Sequence, residues 1–359
     1  MKELELKIEG CPSEITKKQI NNFSVKYESC RATNVDNIQK LIPLTGYRPK
    51  IHSNGRDFLV TWYDAISPYE TFTFYAKRIS YCGAEIDEVP IEIKKPFSDA
   101  YHDYPVYSVA SDGKDYMIVM IRSRQGPTSI NYYTTIYIVT EEGDVIYKDQ
   151  GKELTSGEGM IYNPKIIFRN NYYYIVSAGH LGNTTTPTLK AWKLNRYGDV
   201  IDSRDIYIPS VGEALHLIDI AFDGSYFVIF WQNNPASSHN SLYSLQFDEN
   251  LNPKQSSPVL IYSFSEWSFI SRAIYSESRY MISYHHQING LLYDAFLEVN
   301  IDNLSIICGS EDMEAQTPPD LLSYNTSNII YYSKYDYNIY GRYIYSGCII
   351  GDEALIVEK

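Results

Sequence analysis

Cysteine is scarce in this 359-residue chain: Cys11, Cys30, Cys82, Cys308 and Cys348 are the full set. An odd number with no C-x-x-C spacing fits neither a disulfide framework nor a zinc site. Idle or buried thiols are the expectation. Basic residues are outnumbered, 31 Lys and Arg against 44 Asp and Glu, for a net charge of −13. That balance argues against nucleic acid or an anionic membrane surface as partner, since both need clustered cations. Long apolar runs are missing too, and nothing approaches the roughly 20 residues of a membrane span. The N-terminus alternates charged and apolar residues (Met1-Lys-Glu-Leu-Glu-Leu-Lys7) and lacks a signal-peptide core, so no localisation follows. There is no G-x-S-x-G, no phosphate loop and no Ser/His/Asp motif. No cofactor is expected.

What the chain has is tyrosine, 35 of them, within a hydrophobic content of 44%. An apolar ring with a polar tip suits strands that are half buried and half wet. The stretch from Pro49 to Ile93 shows the plan. Pro49-Lys-Ile-His-Ser53 leads to a turn at Asn54-Gly55, then Phe58-Leu-Val-Thr-Trp62, Phe74-Tyr-Ala-Lys-Arg-Ile79 and Ile86 to Ile93. These are four β-type runs divided by hairpin-length breaks.

The first break recurs at Asp112-Gly113, Asn170-Asn171, Asp223-Gly224, Glu277-Ser278 and Thr326-Ser327, about 50 to 58 residues apart. A dense apolar run follows each, as in Tyr116–Met120, Phe227–Trp231 and Tyr280–Tyr284, and suits a sheet covered on both faces. Four-stranded units at this period with no helical segment predict a single all-β domain over 1–359, a β-propeller of four-stranded antiparallel blades. Counting residues 1–46 as an incomplete first blade gives seven blades. The alternative is six with an N-terminal extension. In the seven-blade form Ala354–Lys359 is a candidate for the missing innermost strand. Cys30, Cys82 and Cys348 fall in matching third-to-fourth turns, too far apart to bridge.

Pro105-Val-Tyr-Ser-Val-Ala-Ser-Asp112-Gly113, Val60-Thr-Trp-Tyr-Asp64 and Phe74-Tyr-Ala-Lys-Arg78 also resemble the four-stranded propeller repeats of large bacterial surface and secreted proteins. The resemblance implies the architecture and no activity. It implies too that ligands bind over the central channel, where loops join second to third strands.

One position counted along the second strands is polar in every full unit: Asp64, Arg122, His180, Asn233, His286 and Lys334. Two residues earlier stand Trp62, Trp231, Tyr284 and Tyr332. A ring of polar groups over an aromatic floor would suit a sugar or a polar peptide. Solvent-facing loop starts would look the same without any ligand. His180, His239, His285 and His286 with Asp64 and Asp336 are possible metal ligands. Adjacent His285 and His286 point to opposite faces of a strand, so no metal site is assigned. Glycoside hydrolysis needs two acids at a set separation, and this face offers Asp64, Glu70 and Asp336. The leading expectation is therefore a non-enzymatic module that binds a protein or a glycan. A carbohydrate-active enzyme is the alternative, and a structural component of a surface layer or virion is a third.

Overall fold

The computed structural model describes residues 46–357, apart from connecting segments that include 66–71, 95–105, 126–129, 155–160, 181–186, 209–214, 234–239 and 334–338. The side chains of the last sheet also lie outside the description. So do residues 1–45 and with them the expected incomplete first blade.

Among the described residues there is no helix, and the strands form six antiparallel sheets in chain order. The first sheet runs Gly46–Ser53, Asp57–Ala65, Phe72–Ser80, Ile91–Lys94. The second is Tyr107–Ser111, Tyr116–Gln125, Ile130–Val139 and Val145–Ile146, with Lys152–Glu153 added to its third strand. Ile161–Arg169, Tyr172–His180, Pro187–Leu194 and Val200–Tyr207 make the third. The fourth comprises Leu215–Phe222, Phe227–Asn233, Asn240–Phe247 and Val259–Phe264. The fifth is Ser268–Ser276, Arg279–Ile288, Leu291–Asn300 and Ile306–Gly309, plus Met313–Glu314. Asp320–Tyr324, Ser327–Ser333, Ile339–Tyr345 and Ile349–Ile350, plus Ala354–Val357, complete the sixth. This all-β series of four-stranded antiparallel units fits a β-propeller.

The turn between first and second strands is written in side chains. Asn54 Oδ1 accepts the amides of Arg56 and Asp57, both at 2.8 Å, and Asp112 Oδ1 accepts those of Lys114 and Asp115. Asp223 does the same for Ser225 and Tyr226. Such Asx turns leave one residue with φ > 0, and Gly55, Gly113 and Gly224 fill that place.

Apolar residues on both faces of each second strand pack in opposite directions. Phe227, Ile229 and Trp231 join a cluster with Tyr174, Val176 and Ala178 of the third sheet. Val228 and Phe230 join Tyr280, Ile282 and Tyr284 of the fifth. Tyr116, Ile118 and Met120 likewise pack on the first sheet, and Met117 and Val119 on the third. This two-sided burial is why the runs show no polar alternation.

Tyrosine fastens sheet to sheet by its tip. The hydroxyl of Tyr116 donates to Asp57 Oδ1 at 2.6 Å, and that of Tyr280 to Asp223 Oδ2 at 2.9 Å. Each stands at the start of a second strand, Tyr116 first and Tyr280 second in it, and reaches the first turn of the preceding sheet. Burial pushes both phenols well above their ordinary range.

Two expectations need correction. Ala354–Val357 does not supply an innermost strand elsewhere, because it pairs with Ile339–Tyr345 of its own sheet. The strand's apolar residues extend the outer edge where the short Ile349–Ile350 stops. Cys308 is not an idle thiol but disulfide-bonded, with its Sγ 3.5 Å from Glu298 Oε2. Cys11, Cys30, Cys82 and Cys348 all lie outside the described residues.

A sharp test of local geometry is Gly198. It has φ +78, its amide donates to Asn195 O at 3.1 Å, and a Cβ there would lie 2.5 Å from Ile136 Cδ1 of the second sheet. Gly198→Ala should therefore destabilise the protein by about 1–3 kcal/mol, from left-handed backbone strain plus a displaced neighbour. Urea denaturation checks it; an unchanged midpoint would contradict the turn as described.

Candidate functional site

The rim on which second strands end is where the sequence places its polar ring. Register brings four of the six residues to one step. Asp64, next to last in its strand, stands opposite Gly46 and Thr73, and Asn233 stands opposite Leu215 and Ser241. His286 faces Ser268 and Tyr293, and Arg122 faces Tyr133. The third sheet departs from the count. Tyr173 and Ile175 pack toward the second sheet while Tyr174 and Val176 pack toward the fourth. Tyr173 is thus the equivalent of Tyr116, and Gly179 occupies the shared step. His180 lies one residue beyond, opposite Pro187. Three consecutive tyrosines, Tyr172 to Tyr174, hide that phase in the sequence. Lys334 lies outside the described residues.

The four differ in what they do. Arg122 is 5% exposed, and its guanidinium donates to Gln150 O at 2.6 Å and Gln150 Oε1 at 3.2 Å. It fastens the outer strands of its own sheet. Asn233 is half-buried, and its Oδ1 accepts the amide of Ser241, second residue of the third strand, at 2.9 Å. His286 is half-buried between Tyr284 and Tyr293, ring centroids 5.2 and 6.2 Å away. Asp64 is half-buried. The aromatic positions beneath are core: Trp62 and Trp231 are buried, and so is Tyr284. Tyr332's side chain is outside the description.

Just below this rim the fifth sheet holds a pair that the sequence did not single out. His285 and Asp294 are both buried, with Nδ1 and Oδ1 2.5 Å apart. Burial pushes the Asp294 carboxyl up to about 6, against the opposing pull of the His285 hydrogen bond. Its Oδ2 has no hydrogen-bond partner among the described residues. The signal that could have found the pair is cross-strand spacing: His285 and Asp294 are nine apart around a tight hairpin, which makes them direct register partners. Gln232, at the same depth in the fourth sheet, is also fully buried and donates to Ser268 O at 2.9 Å.

A second set of polar groups was missed altogether. Lys50, Ser108, Lys165, Asp219, Arg272 and Asp320 oppose Thr61, Val119, Val176, Phe230, Ser283 and Tyr331. Those partners are the fourth residues of equivalent apolar runs, so the six occupy one step of the first strands. In four sheets a register break immediately precedes it. The first strands touch one another in series from the first sheet to the sixth. They therefore form the narrow side of the arrangement.

Among the described residues no group of three His, Cys, Asp or Glu is placed to hold a metal, and no helix is long and apolar enough to cross a membrane.

No protein-family model matches the chain, and no curated protein matches it. Solved structures resemble it in fold. One is a sialidase from Trypanosoma rangeli, with TM-score 0.49 and 11% identity over 85% of this chain and 54% of that one. Another is a GH43 endo-arabinanase from Bacillus licheniformis, with TM-score 0.41 and 12% identity over 71% of this chain and 100% of that one. A prolyl endopeptidase gives TM-score 0.46 and 9% identity over 86% of this chain, which spans 41% of that protein's length. All three scores fall below 0.5, and none bears on activity.

Proposed function

We propose that the chain is a non-enzymatic interaction module, a closed propeller of seven blades that presents its upper rim to a protein or a glycan. The observation that carries the binding reading is the shared step at the rim. Asp64, Asn233 and His286 come from three sheets, keep partial exposure, and stand two residues after buried aromatics. A carboxylate, an amide and an imidazole offer directed hydrogen bonds to a polar ligand, each contributing modestly. Arg122 supports that rim from within, and His180, one residue beyond the shared step, and Lys334 complete the proposed set.

Closure is supported by the first sheet. Its face turned away from the second sheet carries Val60, Trp62 and Ile79, all buried. An open row of sheets would leave that face wet, at a cost of about 25 cal/mol for each Å² of apolar surface. A further blade built from residues 1–46 supplies the cover in this reading.

The test is a glycan array and a pull-down with the intact chain, followed by the triple variant Asp64→Ala, Asn233→Ala, His286→Ala. Binding of any ligand captured should fall by about tenfold or more, equivalent to about 1.4 kcal/mol, with the fold retained. Undiminished binding would place the site elsewhere.

One observation favours the second reading, a carbohydrate-active enzyme. A carboxyl pushed up to about 6 beside an imidazole is suited to general acid work near neutral pH. Hydrolysis of aryl glycosides by the wild type, abolished in Asp294→Asn with its fold intact, would establish it. Inertness across a broad substrate panel would leave binding as the function.

A further inference from the structure

We infer that the disulfide of Cys308 runs to Cys348, tying the fifth sheet to the third-to-fourth turn of the sixth and fitting the protein to an oxidising compartment. Strand register carries this, and it is independent of the reading of the rim.

One step of the third strands reaches forward to the next sheet. Arg78, Lys193 and Glu298 stand at it, opposite Leu59, Tyr174 and Met281 of their second strands. Leu59 packs toward the second sheet and Tyr174 toward the fourth. Met281 alternates with Tyr280 and Ile282, which pack on the fourth sheet, so its step faces the sixth. Arg78 donates to Glu141 O, and Lys193 Nζ donates to Glu249 O at 3.0 Å. Glu141 and Glu249 each lie in the third-to-fourth turn of the following sheet. The second sheet reaches the same kind of turn from its outer edge. There the Tyr147 hydroxyl donates to Tyr197 O at 2.9 Å, and Lys152 Nζ to Asp199 Oδ1 at 2.7 Å. Three successive sheets are thus tied, each to the turn of the next.

The fifth sheet has no such donor at this step. As a carboxylate, Glu298 has nothing to donate to a carbonyl, and Arg279 Nη1 holds it within its own sheet at 2.8 Å. Directly across from it in the outer strand stands Cys308, half-buried and disulfide-bonded. The sixth sheet adjoins the fifth through its first strand. Its third strand turns back between Tyr345 and Ile349, which pair with each other. Cys348 falls in that turn of the sequence, outside the described residues. Where Arg78 and Lys193 meet a turn carbonyl, Cys308 therefore meets a turn that carries a thiol. Cys82 belongs to the turn of the first sheet, which does not follow the fifth, and Cys11 and Cys30 precede the first sheet altogether.

Closing the bond takes one proton and one electron from each thiol. A disulfide of the surrounding compartment takes them up as its own S–S bond breaks to give two thiols. Such a tie persists in oxidising surroundings and is lost in a reducing cytosol. Reduction would release the sixth sheet from the fifth and leave the polar ties of the earlier sheets in place.

The test is peptide mapping of the intact chain isolated from the cells that make it, with free thiols blocked by N-ethylmaleimide at lysis. Digestion without reductant should yield the Cys308 and Cys348 peptides linked to each other and separable by dithiothreitol. Cys348→Ser should lower the melting temperature by about 5 °C, to that of the reduced wild type, and Cys82→Ser should not. Reduction of the wild type should speed amide exchange in Ile339–Tyr345 and leave Phe227–Asn233 unchanged, a readout that stays available if the Ser variant folds poorly. A blocked Cys308, a link from Cys308 to Cys11, Cys30 or Cys82, or exchange in Ile339–Tyr345 indifferent to reduction would each overturn it.

Discussion

Trp231→Ala should lower the stability of the protein by about 3–5 kcal/mol, the range for truncating a large aromatic in a packed core. Trp231 is 1% exposed and belongs to the cluster that joins the third and fourth sheets. Its ring stacks on Tyr243 at 5.9 Å and meets Tyr207 of the third sheet at 5.5 Å. Alanine removes both contacts and leaves a cavity between two sheets whose strands are fixed by their ladders, so the site collapses poorly. Chemical denaturation followed by near-UV circular dichroism reads the loss. A midpoint within error of the wild type would show that the indole is not the filler described.

The second large effect is expected at Arg78→Ala, a loss of about 3–5 kcal/mol from stranding a buried partner charge. Arg78 and Asp87 have side chains 8% and 10% exposed. The guanidinium grips the carboxylate at both oxygens, Nε to Oδ1 at 3.1 Å and to Oδ2 at 3.2 Å, with Nη2 to Oδ1 at 2.5 Å. It also donates to the backbone carbonyl of Glu141, in a turn of the second sheet. Removing it deletes one of the links between the first and second sheets and leaves Asp87 enclosed. The contrast is Arg56, paired with Glu141 at 3.5 Å and 63% exposed. Arg56→Ala should cost less than about 1 kcal/mol. Equal effects at the two positions, measured by the same denaturation, would remove the distinction between enclosed and solvated pairs.

The repeat was legible because its punctuation is chemical. Asn54, Asp112 and Asp223 announce their turns, and the unbroken run Phe227–Trp231 announces burial on two faces. The third sheet was misphased by one residue because Tyr172, Tyr173 and Tyr174 suit either face equally. The rim was legible as a list of polar residues but not as a division of labour. Nothing in the sequence separates Arg122, locked on Gln150, from His286, which keeps part of its surface open. The inner charged step went unseen because Ser108 and Asp219 interrupt the cations, and the register breaks that align them are visible only in strand pairing. The oxidised state of Cys308 is not carried by cysteine spacing along the chain.

A crystal structure of the intact chain, including residues 1–45, tests the central claim most directly. The expected result is sheets arranged around one axis, with Lys50, Lys165 and Arg272 on strands facing it and the Trp62 face of the first sheet covered by another sheet. An open row of sheets, with Lys50 and Arg272 directed away from each other and Trp62 against solvent, would contradict it.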